Sequence, residues 1–148
     1  MTKNFDKIEK GLADLRQALK SERLMEIEQN QALLLSIKAL SDCRPTPCWI
    51  KGTDCRMLYI NPAYEKEFGV SKDEYVGEKD GQPWDDETAV GFKSNDSIVA
   101  KSGESKTFIE DILINNKTTP YKILKWPVYL NGRLIGIAGE SLGVHIER

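Results

Sequence analysis

The chain has 148 residues, 40% of them hydrophobic and 30% charged, and 21 basic residues against 23 acidic ones leave a net charge of -2. That length suits one domain with a proper hydrophobic core. The composition excludes a disordered chain and the strongly basic field with which nucleic-acid binders neutralise phosphates.

No membrane is expected either, because the longest apolar run, around Ala32-Leu33-Leu34-Leu35, is far short of the roughly 20 residues that cross a bilayer. The start, Met1-Thr2-Lys3-Asn4-Phe5-Asp6, lacks the apolar stretch of a secretory signal, so the expected compartment is the cytoplasm.

From about Phe5 to Leu40 there is no proline and one glycine, Gly11, among many good helix formers. This predicts one long helix or two in succession. Phe5, Ile8, Leu12, Leu15 and Leu19 make an apolar stripe at alternating spacings of three and four. The stripe then slips, since the next heptad places are Glu22 and Glu26 while the apolar residues move to Leu24, Ile27, Leu34 and Ile37. A bend near Lys20-Ser21-Glu22, or a helical hairpin folded there, would explain the slip. Pro45 and Pro47 close the arm. The arm is expected over residues 1–42 and a globular domain over 43–148.

Within the domain, Cys48-Trp49-Ile50 and Met57-Leu58-Tyr59-Ile60 read as strands around the turn Gly52-Thr53-Asp54. Asn61-Pro62 stops the second strand, with Asn61 expected to cap a short helix from Ala63 to Phe68 that ends at Gly69. Ser71-Lys72-Asp73-Glu74 has capping-box spacing for another helical turn ending at Gly77. Asp85-Asp86-Glu87 starts a longer helix that Val90, Ser97, Ile98 and Ala100 carry toward Gly103. Three strands follow: Thr107 to Ile114, Tyr121 to Leu130, and Arg133 to about Ile146, with turns at Asn115-Asn116 and Asn131-Gly132. The fold class is α+β, with short helices on one face of an antiparallel sheet.

Chemically active groups are sparse. Cys43, Cys48 and Cys55 cannot all pair within one chain and suit a reducing compartment. With His145 they would offer four soft ligands, but no C-x-x-C pair is present and no metal is expected. One histidine leaves little for a nucleophilic triad, so no catalytic residue is assigned and the chain is not read as an enzyme. Asp85-Asp86 reads as a helix start, and Glu110 is expected to pair with Lys122 across a strand ladder.

In this order and spacing the domain resembles the PAS family. The resemblance is carried by Ile60-Asn61-Pro62-Ala63, Phe68-Gly69, Gly77, Asn95-Asp96, Gly103, Glu110, Lys125-Trp126-Pro127-Val128, and Gly132, Gly136 and Gly139. It implies a five-stranded antiparallel sheet cupping a small helical side. Where PAS sensors often finish with Asp-Ile-Thr ahead of a coiled coil, this chain reads Gly143-Val144-His145, and no output domain is expected after it. Asp54-Cys55-Arg56-Met57-Leu58 echoes the cysteine motif of flavin-binding PAS domains but lies in the first hairpin, and Thr88 to Lys101 holds no histidine for haem. No cofactor is therefore expected.

The resemblance leaves two readings of function. In one, the domain is a protein-interaction or self-association module, with a homodimer or larger assembly made through Phe5, Ile8, Leu12, Leu15 and Leu19 and another protein as a further partner. In the other, it senses a small apolar or aromatic ligand between the sheet and the long helix, where Tyr64, Phe68, Trp84, Ile98, Phe108 and Trp126 are the candidate lining residues. A filled core of the same side chains is the alternative to that pocket.

Overall fold

An α-helix of 40 residues, α1, runs without interruption over Thr2–Ser41 in the computed structural model, which describes residues 2–147 of the chain. The slip of the stripe at Lys20-Ser21-Glu22 does not break it. No proline or glycine stands there, and the one glycine, Gly11, costs only about 1 kcal/mol. The arm is thus a single helix and not a hairpin. An isolated helix cannot bury its own stripe, and Phe5, Ile8, Leu12, Leu15 and Leu19 are all exposed along it. The chain divides into the units Met1–Leu40 and Ser41–Arg148. Among the described residues no helix is long and apolar enough to cross a membrane.

The second unit is α+β, with strands β1 (Cys48–Gly52) and β2 (Met57–Ile60), helices α2 (Pro62–Phe68), α3 (Lys72–Tyr75) and α4 (Asp86–Ser102), and strands β3 (Lys106–Ile114), β4 (Lys117–Leu130) and β5 (Arg133–Val144). All strand pairings are antiparallel, in the order β2-β1-β5-β4-β3. The last strand therefore sits in the middle, beside the first.

Local chemistry sets the helix ends. Ser71 accepts from the Glu74 amide at the start of α3, Asp85 accepts from Thr88 at the start of α4, and Gly69 and Gly103 close α2 and α4 in the left-handed region. Both hairpin turns use residues that tolerate positive φ: Asn115 and Asn116, then Asn131 and Gly132.

Asn61 does more than cap α2. Its Oδ1 accepts from the amides of Tyr64 and Cys48, both at 3.0 Å. Its Nδ2 donates to the carbonyls of Ser41 at 3.1 Å and Thr46 at 2.9 Å. Fully buried, it ties the start of β1, the start of α2 and the segment ahead of β1 to one side chain.

Two glycines of β5 serve close packing. A Cβ on Gly139 would lie 2.4 Å from the Trp49 indole, and one on Gly136 would lie 2.2 Å from the Lys51 carbonyl oxygen. The β3–β4 register corrects one expectation. Glu110 stands opposite Tyr121, and Lys122 stands opposite Ile109. The one-residue offset matters because side chains alternate between faces: Glu110 points into the cup, and Lys122 lies on the outer face.

Candidate functional site

Alternation along the strands decides what enters the cup. Trp49 and Lys51 of β1, and Tyr121, Ile123 and Lys125 of β4, are buried together with Glu110 of β3, so two lysines stand at positions that apolar residues fill elsewhere on the same strands. Facing them, α4 buries Thr88, Phe92, Asp96 and Val99, spaced as one helix stripe. Asp96 thereby meets both lysines.

The contacts form one continuous ionic cluster. Lys51 Nζ lies 2.7 Å from Asp80 Oδ2 and 2.8 Å from Asp96 Oδ2. Lys125 Nζ lies 2.8 Å from Asp96 Oδ1 and 2.7 Å from Glu110 Oε2. Asn95 Nδ2 donates to Glu110 at 2.9 Å, and the Tyr75 hydroxyl donates to Asp80. None of the five charged side chains belongs to a residue more than 8% exposed. Two ammoniums against three carboxylates leave a formal excess of one negative charge.

Burial works against the charge on Lys51, but Asp96 and Asp80 outweigh it and hold the ammonium above the ordinary lysine pKa. Burial likewise opposes ionisation of Asp96, and Lys51 and Lys125 outweigh it, holding the carboxyl below its ordinary range. Burial, then the neighbouring Tyr64 and Asp80, pushes the Tyr75 phenol well above its usual value, so it stays a neutral donor.

An aromatic wall adjoins the cluster. Tyr64 meets Trp49 at 5.5 Å and Phe68 at 4.7 Å between ring centroids, while Trp84 meets Phe68 at 6.0 Å and Phe92 at 5.6 Å, all four edge to face. Lys51 and Lys125 sit 5.3 and 5.4 Å from the Phe92 ring centre, within cation–π range. The buried Trp84 Nε1 stands beside the Tyr64 hydroxyl without a well-formed hydrogen bond to it. The free volume enclosed among Trp49, Lys51, Tyr64, Phe68, Glu110 and Lys125 is about 10 Å³, on the order of one water position.

Of the residues expected to line a pocket, Tyr64, Phe68 and Trp84 meet in this wall. Phe108 faces inward opposite Ile123 but is only half-buried. Ile98 is 44% exposed, off the buried stripe of α4. Trp126 follows the inward Lys125 and so lies on the outer face, in a row with Ala138 and Ile50. Ile98 and Trp126 are therefore not cup residues. The ionic members Lys51, Asp80, Asp96, Glu110 and Lys125 were all missed as site residues, although the period-two series Tyr121, Ile123, Lys125 carried a signal for one of them.

Among the described residues no group of three His, Cys, Asp or Glu side chains is placed to hold a metal ion. Cys43, Cys48 and Cys55 are free thiols, and burial raises the Cys48 thiol above its ordinary pKa. Cys55 lies in the β1–β2 turn with φ 65.

A sheet in this order, cupped over short helices, agrees with a match of residues 42–144 to the family model described as PAS fold. The chain belongs to the PAS family. Such domains are sensory or regulatory modules. Similar solved structures include the PAS domain of Bordetella pertussis BvgS, 25% identical with a TM-score of 0.64 over 79% of this chain and 89% of that one. A phage VqmA–DPO complex is 21% identical with a TM-score of 0.67, covering 78% of this chain and 55% of that one. An RNA-binding light-oxygen-voltage receptor is 19% identical with a TM-score of 0.61, covering 76% and 33%. Against curated proteins there is no significant match.

Proposed function

We propose that this PAS domain is a non-enzymatic sensor that admits a small molecule to its cup, with the Lys51–Asp80–Asp96–Lys125–Glu110 cluster as the recognition element. The observation that carries the reading is the cluster's burial. A rigid docking surface has no use for five charges in its interior, since replacing buried ion pairs by well-packed apolar residues is often neutral or stabilising by about 1–4 kcal/mol. One of the similar structures, phage VqmA, is a complex with DPO.

With about 10 Å³ free in the cup, binding requires side chains to move, and that movement is how occupancy reaches the sheet. No haem or flavin is expected as the ligand, since α4 carries no histidine and Cys55 lies in the first hairpin turn. Native mass spectrometry of the gently purified full chain tests the reading. A small molecule retained at one per chain, and lost in Asp96→Asn, is the expected result; its absence, together with no visible absorbance band, returns the domain to a scaffold.

A second reading, self-association through α1, rests on the unbroken helix and the exposure of Phe5, Ile8, Leu12, Leu15 and Leu19 along it. Burying each Phe, Leu or Ile contributes roughly 1.5–3 kcal/mol, enough for five such positions to offset the cost of association. Sedimentation of the full chain should show a homodimer or larger assembly that becomes monomeric in the Leu12→Glu, Leu15→Glu double variant. A monomeric parent chain removes this reading.

A further inference from the structure

We propose that Lys51 is a tethered occupant of a cation site in the cup, and that the molecule sensed there is a small protonated amine with an apolar body. The amine displaces the Lys51 ammonium into a neighbouring cleft. This rests on the sensory reading above and adds the chemical class of the ligand.

Charge accounting comes first. The cluster is formally one negative charge in excess, so an added anion would enlarge an imbalance that the low-dielectric interior already makes costly. Exchange of one ammonium for another leaves the charge unchanged. The geometry around Lys51 Nζ is that of a built ammonium site, with carboxylate oxygens of Asp80 and Asp96 at 2.7 and 2.8 Å and the Phe92 ring centre at 5.3 Å. Carboxylates together with an aromatic face are what an alkylammonium takes up most readily.

The second observation is room to move. Lys51 borders the closed core and also a cleft of about 240 Å³ between α4, β1 and β5, walled by Ala100, Leu134 and Ile137 and lined as well by Asp96 and Lys93. Lys125 and Glu110 border the closed core. A lysine has four rotatable side-chain bonds, and its stem can lie along aliphatic walls with the head toward solvent. Lys51 can therefore leave its site without leaving the fold, and the aromatic wall of Trp49, Tyr64 and Phe68 then faces the ligand's apolar body.

Three probes with one apolar body separate the classes: phenethylamine, phenylacetate and 2-phenylethanol, each titrated into the full chain up to roughly 10 mM. Binding is read by amide NMR shifts at Lys51, Phe92 and Asp96 and by the thermal midpoint. Phenethylamine alone should shift these amides and raise the midpoint. In Lys51→Met, which removes the tethered competitor, its affinity should rise at least about tenfold. If that variant does not fold, the parent-chain titration decides. Preference for phenylacetate, or no shift at those amides with any of the three, overturns the amine class. A retained anionic or neutral molecule in the native mass spectrum would overturn the class and leave the sensory reading standing.

Discussion

One half of the cup is built from Tyr64, Phe68 and Trp84, rings that meet edge to face and, through Trp84, reach Phe92. In the other half Lys51, Asp80, Asp96, Lys125 and Glu110 hold one another through short ionic contacts. Both halves are buried to a similar degree, yet they answer differently to change. Apolar packing can relax around a substitution of similar shape. An ionic cluster depends on each partner, since losing one strands another charge away from water. The ionic half is therefore the one that a single lost charge should disturb most.

The largest effect that tests this contrast is Asp96→Asn. Asp96 alone bridges the two lysines, and removing its charge should cost about 3–5 kcal/mol of unfolding free energy, measured by urea denaturation. A loss under about 1 kcal/mol would mean that the lysines are solvated once Asp96 is changed, and that the two halves are not distinct.

Next comes Asn61→Ala, which lies in neither half. As a helix cap alone it would cost about 1 kcal/mol. Because Asn61 also binds Cys48, Ser41 and Thr46, the expected loss is about 2–3 kcal/mol. A loss of only the cap value would show that the other three bonds are remade by water.

The aromatic half should be the more forgiving. Phe68→Leu keeps an apolar side chain among rings that can close around it, and about 1 kcal/mol is expected, with the thermal midpoint of the full chain as the measure. A cost equal to that of Asp96→Asn would erase the distinction.

How far the sequence revealed these two halves follows from the same physics. The fold was legible because its signals are local: Asn61-Pro62, the Ser71 cap, Asp85 ahead of α4, and Asn131-Gly132 each state their own geometry. Tyr64, Phe68 and Trp84 were legible as large apolar side chains that must be buried somewhere. The ionic cluster was not, because its members come from β1, the loop before α4, α4 itself, β3 and β4, and nothing local marks a lysine as buried. Strand parity could have flagged Lys125, two places beyond Ile123 on the inward series. The same parity would have removed Trp126, and the α4 stripe would have removed Ile98. Glu110 was misplaced by a one-residue error in register, the smallest shift that carries a side chain to the other face.

The smallest effect expected under ordinary conditions is the pH dependence, and its shape separates the halves most cleanly. Asp96 has a folded pKa held below its ordinary value by Lys51 and Lys125 against burial. It binds its proton less readily when folded, so its contribution is present above the unfolded pKa, about 3.9, and is lost as pH falls through the lower folded value. Lys51 runs the other way. Asp96 and Asp80 hold its folded pKa above the ordinary lysine value against burial, so its contribution is full below about 10.4 and is lost as pH rises through the higher folded value. Between those limits the cluster contributes a constant amount, and stability attributable to it should be flat from about pH 5 to 9. Asp85 and Glu140 also have lowered values, through Thr88 at the α4 cap and through Thr46 and Arg44 against burial, and they add to the acid limb. The informative quantity is therefore the difference between the parent chain and Asp96→Asn, followed by urea denaturation across pH. That difference should shrink as pH falls below about 4, whereas the difference between the parent and Phe68→Leu should not change with pH. If the Asp96 difference stays constant into acid, the carboxylate is not holding its charge for the lysines, and the ionic half of the cup is packed rather than paired.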